Sequence, residues 1–320
     1  MTYDRGVSEP LVIVCPGQGA QAVGMGRAWA TSSPEARAVF QAADLALGDR
    51  LGAALTELCF DGPAERLNRT DVSQPAIYTA SIACWRGLTA AWGLGEGDAV
   101  LAATAGLSLG EYSALHVAGA FTFEEGLELV TLRGRAMQDA AEATTSGMVA
   151  LIGVDEEQAR RVCDEARGGG VLVCANFNAP GQVVISGDRA ACARAVKVAS
   201  EKGLRATDLP VAGAFHSPLM QSAADRLAEA LEQTEITTPR CPVMSNVTAR
   251  PHEDSAQSIR RRLVEQLTSP VLWGNSCERL ASNTTGVWHE LAPGSSLKGL
   301  MRRIDRSIKV QTHDEPESEA

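Results

Sequence analysis

The stretch Ala102-Ala103-Thr104-Ala105-Gly106-Leu107-Ser108-Leu109-Gly110-Glu111-Tyr112 constrains this chain more than any other. A small, apolar, strand-like run from Ala99 to Ala105 ends in Gly-Leu-Ser-Leu-Gly. An amphipathic helix pattern follows, with Leu109, Tyr112, Ala114, Leu115 and Ala118. Strand, sharp turn and helix in that order are what a Gly-x-Ser-x-Gly elbow requires. Gly106 and Gly110 lack a Cβ, so the chain can turn tightly while strand and helix pack closely. Such a turn holds the Ser108 hydroxyl above a sheet. It also sets the Leu109 N–H at a helix N-terminus, where developing negative charge is stabilised. The same five residues also suit a Gly-rich turn whose serine merely caps the helix. The partners that chemistry needs must come from elsewhere in the chain.

With 320 residues the chain can form one large domain or two smaller ones around a sizeable core. Lys and Arg total 29 against 39 Asp and Glu, a net charge of −10. That balance argues against nucleic acid as the main partner. An acidic partner would need a local basic patch, and Lys298, Arg302, Arg303, Arg306 and Lys309 form the best one. They read either as a docking surface or as a solvated helix face. The eight cysteines include no Cys-x-x-Cys pair, and Cys15 and Cys174 sit in apolar runs. They read as small buried hydrophobes in a reducing compartment, with no metal site or disulfide framework. Tyr3-Asp4-Arg5 is too polar for a signal peptide, and no run approaches the roughly 20 apolar residues of a membrane span. We therefore expect a soluble, cytoplasmic protein with no membrane role.

In chain order, residues 1–9 read as a loose leader and Leu11–Cys15 as a buried parallel strand. The loop Pro16-Gly17-Gln18-Gly19-Ala20-Gln21 follows it, at the strand end where α/β sheets place ligands. It carries neither a Gly-x-Gly-x-x-Gly nor a Walker lysine, so a backbone N–H is its expected contribution. Residues 34–94 read mainly as helices, with Pro75 suiting a helix's first turn. From residue 147 to 211 the pattern is strand, helix, strand, strand, helix, strand. This βαββαβ order is ferredoxin-like, and it predicts an inserted small unit. Pro242–Asn246 reads as a further strand, and residues 311–320 as an acidic, disordered tail.

Two side chains stand out as partners for Ser108. On a helix over Glu124–Ala143, Arg133 has Leu129, Val130, Ala136 and Met137 as its one-turn neighbours, whereas Arg135 has a mostly polar set. Arg133 therefore faces inward, where an unpaired guanidinium would cost several kcal/mol. It needs either an internal carboxylate or the anion of a ligand. His216 lies just ahead of the Ser217-Pro218 helix start, whose dipole disfavours imidazolium and leaves a neutral base. Of the other histidines, His252 and His313 lie in polar sequence, His116 falls inside the elbow helix, and His289 ends a strand-like Val287-Trp288.

Six motifs in order carry a resemblance: Pro16–Gln21, Gly106–Glu111, Arg133–Gln138, Asn176–Gly187, Ala214–Ser217 and Glu290–Gly294. From about residue 10 to 305 the chain resembles the malonyl-CoA:acyl carrier protein transacylases and related acyltransferases of fatty acid and polyketide synthesis. The resemblance implies an α/β fold: an α/β-hydrolase-like large domain (residues 1–143 and 212–320) with a parallel sheet, interrupted by the ferredoxin-like unit (144–211). It makes Ser108 the nucleophile and His216 its base, oriented by the backbone carbonyl of Gln266. The Leu109 and Gln18 N–H groups would form the oxyanion hole. Arg133 would hold the malonyl carboxylate, with Gln74 and Phe215 also lining the substrate. Phe215 is similar to the family's malonyl-selective pattern and would crowd a 2-methyl branch. The implied partners are malonyl-CoA and a phosphopantetheinylated acyl carrier protein. Coenzyme A enters as substrate and product, no cofactor is held permanently, no metal is implied, and a monomer is the default. One departure stands out: Leu107 occupies the position before the serine where the family usually has histidine.

Rival readings remain. An acyl hydrolase acting on carrier-protein thioesters usually lacks such an arginine, although Leu107 keeps it open. A docking subunit would not need serine, histidine and arginine together. A general α/β-hydrolase esterase would want an acid between Ser108 and His216, and Asp155, Asp188 and Asp208 there all belong to the inserted unit.

Overall fold

The computed structural model describes residues 9–317. Eight of its strands form two four-stranded sheets. β1 (Leu11–Cys15) and β2 (Leu101–Gly106) lie side by side and parallel, in a register that pairs Cys15 with Gly106. The loops leaving both strands therefore emerge together, as expected where a parallel sheet presents its carboxyl ends. β1 is buried at every residue, which is why its sequence is a continuous apolar run. The second sheet is built from β3 (Ser146–Ile152), β4 (Leu172–Ala179), β5 (Gln182–Asp188) and β6 (Arg205–Asp208). Its strands are antiparallel and ordered β4-β5-β3-β6, with the helices Glu156–Arg167 and Arg189–Glu201 packed on it. That is the ferredoxin-like arrangement read from the sequence, with its own core around Val149, Leu151, Val162, Ile185 and Ala195.

After this unit come a two-stranded ribbon, β7 (Met244–Ser245) and β8 (Arg250–Pro251), then β9 (Val287–Leu291) and β10 (Val310–His313). The parallel sheet runs β10-β9-β1-β2, and Val243 adds a bridge beside Thr104 of β2. The helix Thr70–Ala91 is buried along almost its whole length and carries apolar residues on all sides, as a central helix does. The inserted sheet is tied to the chain that follows Gln266: Phe177 N–H donates to Val271 O and Val271 N–H to Ala175 O, both at 2.9 Å.

Four expectations are corrected here. Pro75 lies inside the helix Thr70–Ala91, because Gln138 Oε1 takes the Thr70 N–H at 3.1 Å and lets the helix begin a turn earlier. The expected strand Pro242–Asn246 shortens to Met244–Ser245, its flanks being held by single bonds. The acidic end does not begin at residue 311: Val310–His313 pairs in parallel with β9, and the buried His313 stacks on His289. His252 is buried as well. The leader at residues 1–8 and the last residues, 318–320, lie outside the described residues.

The elbow itself is set by close approach. A Cβ on Gly106 would sit 1.8 Å from the Gly110 carbonyl carbon, and one on Gly110 would sit 2.2 Å from Cys15 O. Gly106→Ala should therefore cost about 3 kcal/mol or more, since nothing but backbone can yield. A denaturant titration against the wild-type chain checks it.

Candidate active site

Ser108 sits at the tip of the elbow with φ 54°, in the left-handed region where an L-residue is strained. Its N–H donates to Asn246 Oδ1 at 2.6 Å, and Asn246 Nδ2 in turn donates to Gly106 O at 2.7 Å. The turn is thus clamped on both sides of the serine. The helix Gly110–Val117 starts immediately afterwards, with Leu109 at its N-cap. The loop after β1 lies against the elbow: a Cβ on Gly17 would meet Leu107 O at 2.2 Å. Gln18 follows in that loop, its side chain donating to Thr70 Oγ1 at 3.3 Å. Among the described residues, neither the Gln18 nor the Leu109 N–H donates to a protein acceptor.

His216, also left-handed at φ 57°, reaches Ser108 from the far side of the inserted unit. Its Nε2 lies 2.8 Å from Ser108 Oγ, and its Nδ1 lies 2.8 Å from the carbonyl oxygen of Gln266. A carbonyl only accepts, so Nδ1 carries the proton and Nε2 presents its lone pair to the serine hydroxyl. Burial, and then the Arg133 guanidinium, pull the imidazole pKa down to about 4. The neutral form expected from the sequence is therefore kept mainly by desolvation and a neighbouring charge, where a helix dipole was anticipated.

Arg133 is 1% exposed. It donates to Gln74 Oε1 at 2.7 Å, Gln266 Oε1 at 2.8 Å and Ser108 Oγ at 3.1 Å, while its Nε has no partner. The internal carboxylate that its burial called for is not there: all three acceptors are neutral. A buried cation 3.1 Å from a nucleophile's oxygen, with only neutral partners, is a ready site for an anion. The ring of Tyr112 lies 5.5 Å from the guanidinium carbon and adds a cation–π contact. Phe215 is buried next to His216. Ser108, His216, Gln266, Arg133 and Gln74 thus converge within direct hydrogen-bond contact.

The sequence reading assigned no role to Glu111, Asn246 or His252. Glu111 is fully buried and accepts from His252 Nε2 at 2.7 Å, Gln266 Nε2 at 2.7 Å and the Asn246 N–H at 3.1 Å. One carboxylate therefore holds both residues that hold the serine and the histidine. The available clue was Glu111 itself, a charged residue in the first turn of an otherwise apolar helix. A cavity of about 300 Å³ opens beside His216, lined by Pro218, Thr268 and Pro270 on one wall and Arg160, Arg167 and Cys174 on the other. The basic residues Lys298, Arg302, Arg303, Arg306 and Lys309 are exposed on and just after the helix Ser296–Ile304. No described helix is long and apolar enough to cross a membrane.

Residues 12–314 match the family model described as acyl transferase domain. The malonyl CoA-acyl carrier protein transacylase of Salmonella typhimurium is 42% identical over 304 residues, covering 95% of each chain. Among solved structures, the malonyl CoA-acyl carrier protein transacylase of Coxiella burnetii superposes with a TM-score of 0.90 at 37% identity, over 97% of this chain and 95% of that one. A malonyl-transacylase solved in complex with a type II PKS acyl-carrier protein gives 0.89 at 39% identity, over 96% of both.

Two outcomes follow from this geometry. Glu111→Gln should destabilise the fold by about 3 kcal/mol, because one of its two acceptor oxygens becomes an NH2 group facing buried donors; equilibrium unfolding measures it. Acid should also loosen the chain. His216 and His289 both fall from 6.5 to about 4 on folding, so between those values the unfolded chain takes up protons that the folded chain refuses. The two histidines' contribution should be full above pH 6.5 and decline towards pH 4, against the opposite slope of Glu290, whose carboxyl burial pushes up to about 7. His216→Gln should flatten that decline in denaturant titrations across the window.

Proposed function

From the premise that this chain belongs to the acyl transferase domain family, and is an acyltransferase, we propose that it moves a malonyl group from malonyl-CoA to an acyl carrier protein. The observation that carries the reading is Arg133: a buried guanidinium without a carboxylate partner, 3.1 Å from the oxygen of Ser108. In a malonyl thioester the carboxylate lies two bonds beyond the carbonyl that a serine would attack. An ion pair with Arg133 would therefore bring that carbonyl to Ser108.

The reaction is ping-pong. His216 Nε2 takes the Ser108 proton as Oγ attacks the thioester carbonyl. Gln266 O holds the opposite ring nitrogen and keeps that lone pair aimed at the serine. The oxyanion is received by the N–H groups of Leu109 and Gln18, at roughly 3–4 kcal/mol per donor in comparable sites. The C–S bond breaks, His216 returns the proton to the departing sulfur, and coenzyme A leaves a malonyl ester on Ser108. The carrier protein's phosphopantetheine thiol then gives its proton to His216 and attacks the ester. A second collapse restores Ser108. The incoming carboxylate finds the unpartnered Arg133 Nε and takes over N–H groups that Gln74 and Gln266 hold in its absence. Phe215 narrows the space for a 2-methyl branch, a preference worth roughly 1–3 kcal/mol. The same reading divides the chain into a catalytic unit (1–143 and 212–320) and an inserted unit (144–211), with the substrate in the cleft between them.

Incubation with radiolabelled malonyl-CoA, without carrier protein, tests this. The wild type should hold a stable label that added carrier protein discharges, and Ser108→Ala should hold none. Arg133→Ala should lose malonyl transfer by at least a hundredfold, about 3 kcal/mol, while keeping or raising turnover of acetyl thioesters. Rapid release of free malonate would mean a hydrolase. Equal loss on malonyl and acetyl would remove Arg133 from substrate binding.

A further inference from the structure

All eight cysteines are free thiols, and one pair differs from the rest. Cys163, on the helix Glu156–Arg167, and Cys174, on β4, bring their sulfurs within 4.0 Å. Both line the cavity that opens beside His216, together with Arg160 and Arg167. Both thiols are buried, and the two guanidinium groups are already paired, Arg160 with Glu156 and Arg167 with Asp164. What singles this pair out is two sulfurs in contact in the wall of a cavity that a small oxidant can enter.

The six other thiols are all pushed up by burial, at Cys15, Cys59, Cys84, Cys192, Cys241 and Cys277. Cys174 goes the other way. The contact with Cys163 favours its thiolate and Arg160 adds to that, against burial and the Glu156 and Asp164 carboxylates. Cys163 is correspondingly pushed up. With its sulfur 4.0 Å away, Cys163 is placed to resolve a sulfenic acid formed on Cys174.

We propose that Cys163 and Cys174 form a peroxide-sensitive pair whose disulfide, closed in the wall of the cleft, slows transfer at Ser108. The Cys174 thiolate attacks one peroxide oxygen, the O–O bond breaks, and the departing hydroxide takes up a proton as water. The resulting sulfenic acid is attacked by Cys163, which gives up its proton; the S–O bond breaks and a second water leaves. Two thiols and one hydrogen peroxide become one disulfide and two waters. To bond, the sulfurs must close from 4.0 Å to about 2 Å, which draws the helix and β4 together. Cys174 adjoins Ala175, whose carbonyl accepts from Val271, and Val271 lies in the segment that follows Gln266. The strain therefore runs towards the carbonyl that orients His216.

The test treats the full chain with hydrogen peroxide, then follows alkylation of the remaining thiols, peptide mapping and malonyl transfer, before and after dithiothreitol. The expected result is a single crosslinked peptide joining Cys163 to Cys174, with two of the eight thiols lost. The transfer rate should fall several-fold and return on reduction. In Cys163→Ser, measured against its own starting rate, the reversible fall should vanish. Peroxide that leaves both thiols open to alkylation, or oxidises them without joining them, overturns the pair. A crosslink with an unchanged rate, or an equal fall in Cys163→Ser, overturns its effect on the cleft. The rate measurement rests on the acyl-transfer reading, whereas the crosslink does not, so failure of one is distinguishable from failure of the other.

Discussion

Gln266 holds the centre of this molecule through three separate groups. Its backbone carbonyl takes the Nδ1–H of His216, its Oε1 takes Arg133, and its Nε2 donates to both Ser108 O and Glu111. Imidazole, guanidinium and serine are therefore referred to a single residue, which ends the helix Ala256–Gln266. A buried amide with every polar atom satisfied cannot turn without breaking several bonds at once, which gives one arrangement a wide margin over its alternatives. Among the described residues, no acidic side chain meets the His216 imidazole. A neutral carbonyl fixes the tautomer and leaves Arg133 as the nearest strong charge.

That choice has an electrostatic consequence. A carboxylate beside His216 would raise its basicity and would also compete for Arg133. With a carbonyl in that position the guanidinium stays without a counter-ion, and the only full negative charge in the network, Glu111, sits behind Gln266 and Asn246 and makes no direct bond to Arg133. On the proposed reading, the cation that would draw an anionic acyl group also adds to burial in keeping the imidazole neutral. Substrate choice and proton chemistry would then share one side chain.

Local pattern made part of this readable in advance. The elbow follows from two glycines flanking a serine between a strand and a helix, and the inserted unit from six alternating elements. The inward face of Arg133 follows from four apolar neighbours at helical spacing. All of these are set within a few dozen residues. What stayed hidden depends on contacts between distant parts of the chain. Val310–His313 becomes a strand because β9 lies beside it, and His252 is buried against Glu111, 141 positions away, which accepts a hydrogen bond from its Nε2. Gln138 caps the Thr70 helix from another helix altogether, which no reading of Pro75 could reveal. The place of Gln266 came from family resemblance alone, since a backbone carbonyl leaves no mark on its own side chain.

Ser108 and His216 both hold a left-handed backbone that their side chains make costly, on the order of 1–3 kcal/mol each. Glycine would sit in either place without that strain. On the proposed reading, the two positions that carry this strain are the two where the molecule would react. A duplicate freed from selection for its chemistry would drift towards glycine there, and would grow sturdier as it lost its function.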